Sequence, residues 1–285
     1  MIVNASQEIK RCLSMCINGR RGAGKSHFAL EFSPRPVLIQ PLDPTLRFIL
    51  EKFDLTNVKM GQYPRLSAEL TKAVSGIKKA AEIADSKEAF TKMQEEAQKV
   101  WATYSQDFYS ALSWARTIIW DTGSEAWELL RLARHGKLTQ IESFHYGALN
   151  SEFREMIRAA QDTGVNHIIL QKMKEKWGET VSATGKVSRG PTGEWEPSGF
   201  SHIGYEVTLE GEVYQSLCTH QHPGPCMEGH CAYGCNPPCG ADAKFHLRIT
   251  KCTQNADLIF RDFADPNFVE IATEVYGKTS PEEWM

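Results

Sequence analysis

Two rhythms of apolar and polar positions alternate along the first two thirds of the chain. The runs at 12–18 (CLSMCIN), 35–43 (RPVLIQPLD), 116–121 (RTIIWD) and 165–171 (VNHIILQ) are mostly apolar and of strand length. They predict strands buried on both faces. Between them the apolar residues take a helical period. Across 67–104, Leu70, Val74, Ile77 and Ala81 share one face, and Phe90, Met93, Ala97, Val100 and Trp101 share another. In 150–164, Phe153, Met156, Ile157 and Ala160 do the same. Thr122 with Glu125 three residues on predicts a capping box, and Gly136 a helix stop. This alternation predicts an α/β fold with a mostly parallel central sheet and ligand-facing residues at the carboxyl ends of its strands. Residues 64–115 read as a helical insertion within one domain spanning 1–285. After residue 171 the rhythm stops. Residues 172–202 are rich in glycine without a steady apolar period, which predicts a long mobile loop. Residues 205–217, 244–252 and 257–263 alternate, which predicts antiparallel strands at the sheet edge.

Of the 285 residues, 41% are hydrophobic and 24% charged, enough for a full-sized globular core. The formal net charge of −3 provides no global attraction for nucleic acid, so any basic surface must be local. No apolar run reaches membrane-spanning length, and the opening MIVNASQEIKRC lacks the apolar core of a signal peptide, so a cytoplasmic location without a membrane partner is expected. In that reducing compartment the eight cysteines point to metal or buried thiols rather than disulfides.

The predicted first strand runs into Gly19, Arg20, Arg21, Gly22, Ala23, Gly24, Lys25 and Ser26, which fits G-x-x-x-x-G-K-[ST], with His27 opening the helix that follows. Glycines let backbone N–H groups turn toward phosphate oxygens. Lys25 can reach the β- and γ-phosphates of ATP, and the Ser26 hydroxyl can ligate Mg²⁺. Asp121, ending a buried strand downstream of such a loop, suits the Mg²⁺ shell.

These motifs, in this order, resemble the RecA-like recombinase core, and in particular the short phage-encoded RecA-like ATPases of single-strand annealing and recombination. The resemblance implies a RecA-like P-loop fold, a ring or filament of identical subunits, and ATP-dependent binding of single-stranded DNA for annealing or strand exchange. It implies location in a bacterial host's cytoplasm, and a single-strand-binding or other recombination protein as a further partner. Asp121 in IIWDTGS matches the carboxylate that organises Mg²⁺. Gln171 in HIILQKMKEK matches the polar sensor that touches the γ-phosphate and opens the second DNA-binding loop. Lys251 in FHLRITKC, with Arg248 as second choice, matches the lysine that reaches a neighbouring subunit's nucleotide. The family's catalytic Glu after the second strand is missing; in LIQPLDPT, Asp43 stands in as the water-positioning group.

The DNA reading falls on the 172–202 loop, where Lys172, Lys174, Lys176, Lys186 and Arg189 can track phosphates and Trp177 can stack on bases, with Trp195 further along and a second basic stretch at 131–140. Residues 218–240 hold Cys218, Cys226, Cys231, Cys235 and Cys239, spaced for tetrahedral Zn²⁺ at the tip of a hairpin insert over 218–243. Rivals to the recombinase are a nucleotide-gated interaction module with weak hydrolysis and a P-loop kinase of another class.

Overall fold

In the computed structural model, residues 12–31, 33–66, 83–136, 143–181, 187–216, 244–277 and 284 are described. Strands β1 (Ser14–Gly19), β2 (Val37–Pro41), β3 (Val58–Met60), β4 (Thr117–Asp121) and the first part of β5 (Asn166–Val181) run parallel. Their order across the sheet is β3-β2-β4-β5-β1, then β7 (Leu209–Ser216), β8 (Lys244–Cys252) and β9 (Asp262–Ala264). One strand, β5, thus separates the loop-bearing β1 from the Asp121-bearing β4. β7 joins β1 in parallel, while β7–β8 and β8–β9 pair antiparallel, so the far edge of a mostly parallel sheet turns antiparallel.

Successive residues of each central strand face opposite sides, and both sides are covered. On one side helices α2 (Ile83–Ala111), α3 (Gly123–His135) and α4 (Tyr146–Thr163) pack Tyr104, Phe108, Trp127 and Phe153 around Trp120. On the other, α1 (Lys25–Leu30) and α6 (Phe268–Tyr276) bury Phe28, Leu30, Phe268 and Ile271 against Met15, Ile17, Ile168 and Leu170. A short helix, α5 (Ile203–Glu206), precedes β7.

Met93, Ala97, Val100 and Trp101 are buried as their period predicts, and α2 continues past residue 104 because Tyr104, Phe108 and Ala111 extend the stripe. Residues 67–82, with the face of Leu70, Val74, Ile77 and Ala81, lie outside the described residues. Thr122 caps α3, its hydroxyl accepting from the Glu125 N–H at 3.4 Å, and Gly136 ends it at φ 65°.

Three expectations fail in whole or part, the smallest at 205–217, where 205–206 lie in α5 and only Leu209–Ser216 is strand, parallel to β1. Residues 172–202 are not mainly loop: β5 leaves the parallel sheet after Lys172 and pairs antiparallel with β6 (Val187–Ser198), forming a two-stranded arm. An arm with solvent on both sides needs no buried face, so it carries no apolar period. Cross-strand side-chain pairs support it instead: Lys174 lies 3.2 Å from Glu196 and Lys176 2.9 Å from Glu194. Residues 257–263 are not a strand throughout. A 3₁₀ turn at Ala256–Leu258, capped by Asn255 accepting from the Asp257 N–H, and Phe260 at φ 67° leave only Asp262–Ala264 as strand.

Candidate functional site

The Gly19–Ser26 turn sits at the carboxyl end of β1, where tight packing dictates Gly19 and Gly24 and a positive φ of 78° favours Gly22. A Cβ on Gly19 would stand 2.7 Å from the Val213 carbonyl oxygen. Gly24 has φ +94°, and a Cβ there would meet the Phe245 ring at 2.2 Å. Arg21 through His27 line a cleft of about 670 Å³ together with Asp43, Thr45, Phe48, Asp121, Thr122, Glu125, Lys172 and Phe245. Two groups of side chains about it differ in chemistry. In one, His27 stacks on Phe245 with centroids 5.5 Å apart and meets Phe53 edge-on at 5.1 Å. In the other, two lysines face three carboxylates.

Lys25 Nζ donates to the carbonyls of Gly19 (2.8 Å) and Arg20 (2.9 Å), so the ammonium is held within its own loop. Burial lowers its pKa, opposed chiefly by the charge of Asp121. The Ser26 hydroxyl donates to Asp121 Oδ2 at 2.7 Å. Burial pushes the Asp121 carboxyl up to about 6, with Asp43 and Glu125 adding like charge and Ser26 and Lys25 opposing. A hydroxyl and a carboxylate in contact beside the loop are the hard oxygen donors that Mg²⁺ takes, so the residues present fit that ion.

Asp43 ends the bend after β2, its N–H and that of Leu42 donating to the Asp121 carbonyl at 3.1 and 2.7 Å. Its Oδ1 accepts from Thr45 N (2.9 Å) and Thr45 Oγ1 (2.7 Å), capping the 3₁₀ turn Pro44–Phe48. Burial acts to raise its pKa, but those two bonds and the nearby Lys172 bring it below the ordinary value. Lys172 Nζ stands 3.3 Å from Asp43 Oδ2 and donates to Glu125 Oε1. Grouped by sequence with the DNA-binding lysines, Lys172 thus sits in the nucleotide cleft. Glu125, read from sequence only as a capping residue, sits there too. The signal for Lys172 was its place directly after Gln171 at a strand end; for Glu125 it was its place one helical turn beyond Asp121.

Gln171 lies beside Asn18 of β1, only 1% exposed, and neither its Nε2 nor its Oε1 has a hydrogen-bond partner among the described residues. A buried amide with both ends open is costly unless something else fills them. The arm is anchored beside it: Ser124 Oγ accepts from the Lys172 N–H at 2.9 Å and donates to the Ser198 carbonyl. Farther out, Trp177 and Trp195 are 59% and 40% exposed, and Arg189 is exposed. Lys186 and the cysteines Cys218, Cys226, Cys231, Cys235 and Cys239 lie outside the described residues. Among the described residues no group of three or more His, Cys, Asp and Glu is gathered to hold a metal ion by itself. Lys251 is absent from the cleft. It lies opposite Glu210, level with Cys16, and donates to the carbonyls of Gly204 and of Val207, the latter at 2.7 Å. Arg248 pairs with Asp262 at 3.0 Å.

A phosphate-cradle motif at the end of β1, a serine–aspartate pair beside it and a mostly parallel sheet with one strand between them define a P-loop nucleoside triphosphatase. The AAA domain family matches residues 11–198, more than half of the chain, and the protein belongs to that family. Comparison with curated proteins returns no match. No described helix is long and apolar enough to cross a membrane.

Proposed function

We propose that this P-loop protein hydrolyses ATP, binds single-stranded DNA through the β5–β6 arm, and assembles as a ring or filament that promotes annealing or strand exchange. The reading is carried by one observation. β5 continues from the buried Gln171 through Lys172, which lines the cleft, to Trp177 on the arm, with a register shift between Glu175 and Trp177, so one strand joins the nucleotide site to an exposed aromatic. Exposed aromatic faces with neighbouring cations suit unpaired bases and their phosphates.

In the cleft, Lys25 exchanges the carbonyls of Gly19 and Arg20 for phosphate oxygens, and backbone N–H groups of the loop take the remaining oxygens. Ser26 and Asp121 would hold Mg²⁺, which would supply positive charge to the phosphates. Gln171, its amide otherwise unsatisfied, reads the γ-phosphate. The pair Asp43 and Glu125, joined by Lys172, supplies the carboxylate that orients water. In an oligomer Lys251 would have to leave both of its carbonyl partners to reach a neighbour's nucleotide. A Zn²⁺-clamped segment over 218–243 belongs to the same proposal.

ATP turnover measured with and without single-stranded DNA, alongside electron micrographs of the mixture, tests this. Stimulation with rings or filaments is expected; absence of DNA binding would sink the recombinase reading. A second reading, a nucleotide-gated interaction module with weak hydrolysis, is favoured by the pairing of Lys174 and Lys176 with glutamates, which leaves the arm less cationic than its sequence suggests. Tight ATP binding with negligible turnover, even with DNA, would select it.

A further inference from the structure

We propose that Glu125 is the carboxylate that positions the attacking water, with Lys172 as its positioning residue and Asp43 as the second anchor of that lysine. This rests on the ATPase reading above and names the acting group within the same site. Asp43 is poorly placed for the task. One of its oxygens accepts twice from Thr45 and the other faces Lys172, so its carboxylate is committed to closing its own turn. Displacing it would uncap the 3₁₀ turn that carries Leu46 into the core.

Where Asp43 Oδ1 accepts two hydrogen bonds, each oxygen of Glu125 accepts one, so Glu125 is less committed. It stands on the first turn of α3, whose start is fixed by Asp121 at the end of β4 and by the Thr122 cap. Its side chain is one methylene longer than that of Asp43 and lines the cleft with Lys25, Ser26 and Asp121. One carboxylate oxygen accepts from Thr122 Oγ1 and the other from Lys172 Nζ. A carboxylate oxygen has more than one acceptor site, so each can still take a water hydrogen. Lys172 touches Glu125 and Asp43 at once, which holds two like charges in one small space and fixes where Glu125 points. In the step, water gives one proton to Glu125 as its oxygen bonds the γ-phosphorus. The bond from that phosphorus to the bridging oxygen breaks, its electron pair leaving on ADP. Inorganic phosphate departs, and the proton passes from Glu125 to solvent.

The test compares steady-state ATP hydrolysis and binding of a fluorescent ATP analogue in Glu125→Gln, Asp43→Asn, Lys172→Met and Lys172→Arg. Glu125→Gln should lower kcat by about a hundredfold with KM and analogue affinity little changed, the size expected for loss of a general base. Asp43→Asn should cost only about fivefold, through a loosened Lys172. Lys172→Met should lower kcat, and Lys172→Arg should recover most of that loss by restoring the charge. If Glu125→Gln does not fold, Glu125→Asp, which keeps the charge and withdraws it by one methylene, should still lose about tenfold in kcat. A kcat for Glu125→Gln within about threefold of the parent, or a loss in Asp43→Asn as large as that in Glu125→Gln, overturns the assignment. Analogue binding with no parental turnover overturns it too, leaving the P-loop as a binding site. Failure of the parent protein to bind the analogue overturns the ATPase reading itself and this assignment with it.

Discussion

The guanidinium of Arg20 lies over the indole of Trp195, 4.2 Å from the ring centroid. A residue of the phosphate loop therefore touches the second strand of the arm, independently of the joint at Lys172. The Arg20 carbonyl also accepts from Lys25, so a phosphate that draws Lys25 away alters the backbone carrying that guanidinium. A double-mutant cycle with Arg20→Ala and Trp195→Ala, read by urea unfolding, should give a coupling of about 0.5–1 kcal/mol, as for an exposed cation–π pair. Nucleotide should also change tryptophan emission in the parent and less so in Trp195→Phe. Zero coupling and an unchanged emission response would leave loop and arm joined only at Lys172.

Lys25→Ala removes the cation that now sits on the Gly19 and Arg20 carbonyls. With Asp43, Asp121 and Glu125 left facing incoming phosphate, analogue affinity should fall by about tenfold or more and turnover should vanish. Near-parental turnover would show that phosphate binds elsewhere.

What the sequence made legible is what burial enforces. The apolar runs at 12–18, 35–43, 116–121 and 165–171 each hold a central strand because their central residues are buried on one face or the other. Gly24 and Lys25 were legible because phosphate chemistry permits few alternatives. The arm was not, since it is held by strand pairing between distant residues, such as Lys176 with Glu194 eighteen residues apart, which no local period reveals. Nor was the role of Glu125. Its spacing from Thr122 is fully explained by a helix cap, and only the fold brings Lys172, forty-seven residues on, against it.

Asp121 should make cation binding depend on pH. Its carboxyl is raised to about 6, above the ordinary 3.8, so the folded protein holds this proton more tightly than the unfolded chain does. The group therefore costs nothing below about pH 4, and its cost grows to about 3 kcal/mol as pH rises past 6. Mg²⁺ competes with that proton, so cation binding strengthens as pH rises through 6. Thermal melting with and without Mg²⁺–nucleotide should show a larger stabilisation at pH 7.5 than at pH 5. Equal stabilisation at both would remove Asp121 from the cation's ligands.

On the arm, Trp177→Ala should weaken single-stranded DNA binding by about 1–3 kcal/mol if its exposed ring stacks on a base. Glu194→Gln with Glu196→Gln should have the opposite sign, because it frees Lys176 and Lys174 from their cross-strand partners. The freed lysines should also steepen the fall of affinity with salt. Fluorescence anisotropy across a salt titration reads both effects. Unchanged binding in Trp177→Ala, together with an unchanged salt slope in the glutamine pair, would take the arm out of the DNA footprint.

The cysteine-rich segment gives the last prediction. β7 and β8 pair antiparallel up to Ser216 opposite Lys244, so residues 217–243 leave and rejoin the sheet at adjacent positions. That closure brings the two ends of the segment together before any metal binds, which lowers the entropy cost of gathering ligands from along it. The segment is poor in apolar residues and rich in Cys, Gly and Pro, so a core of its own is a weak source of stability, whereas structural zinc supplies roughly 10 kcal/mol or more. One Zn²⁺ per chain is expected, held mostly by Cys226, Cys231, Cys235 and Cys239. The cleft draws its walls from the loop after β1 with α1, the turn after β2, the end of β4, the start of α3 and β5, and among the described residues only Phe245 of β8, next to the junction at Lys244, links it to this segment. Chelation should therefore increase proteolysis within 217–243 while ATP binding persists, and any DNA or partner contact made by the segment should fail with it. Elemental analysis of protein never exposed to chelator decides the first step: zinc below about a tenth of an equivalent, far under the occupancy that such affinities give, would rule the site out.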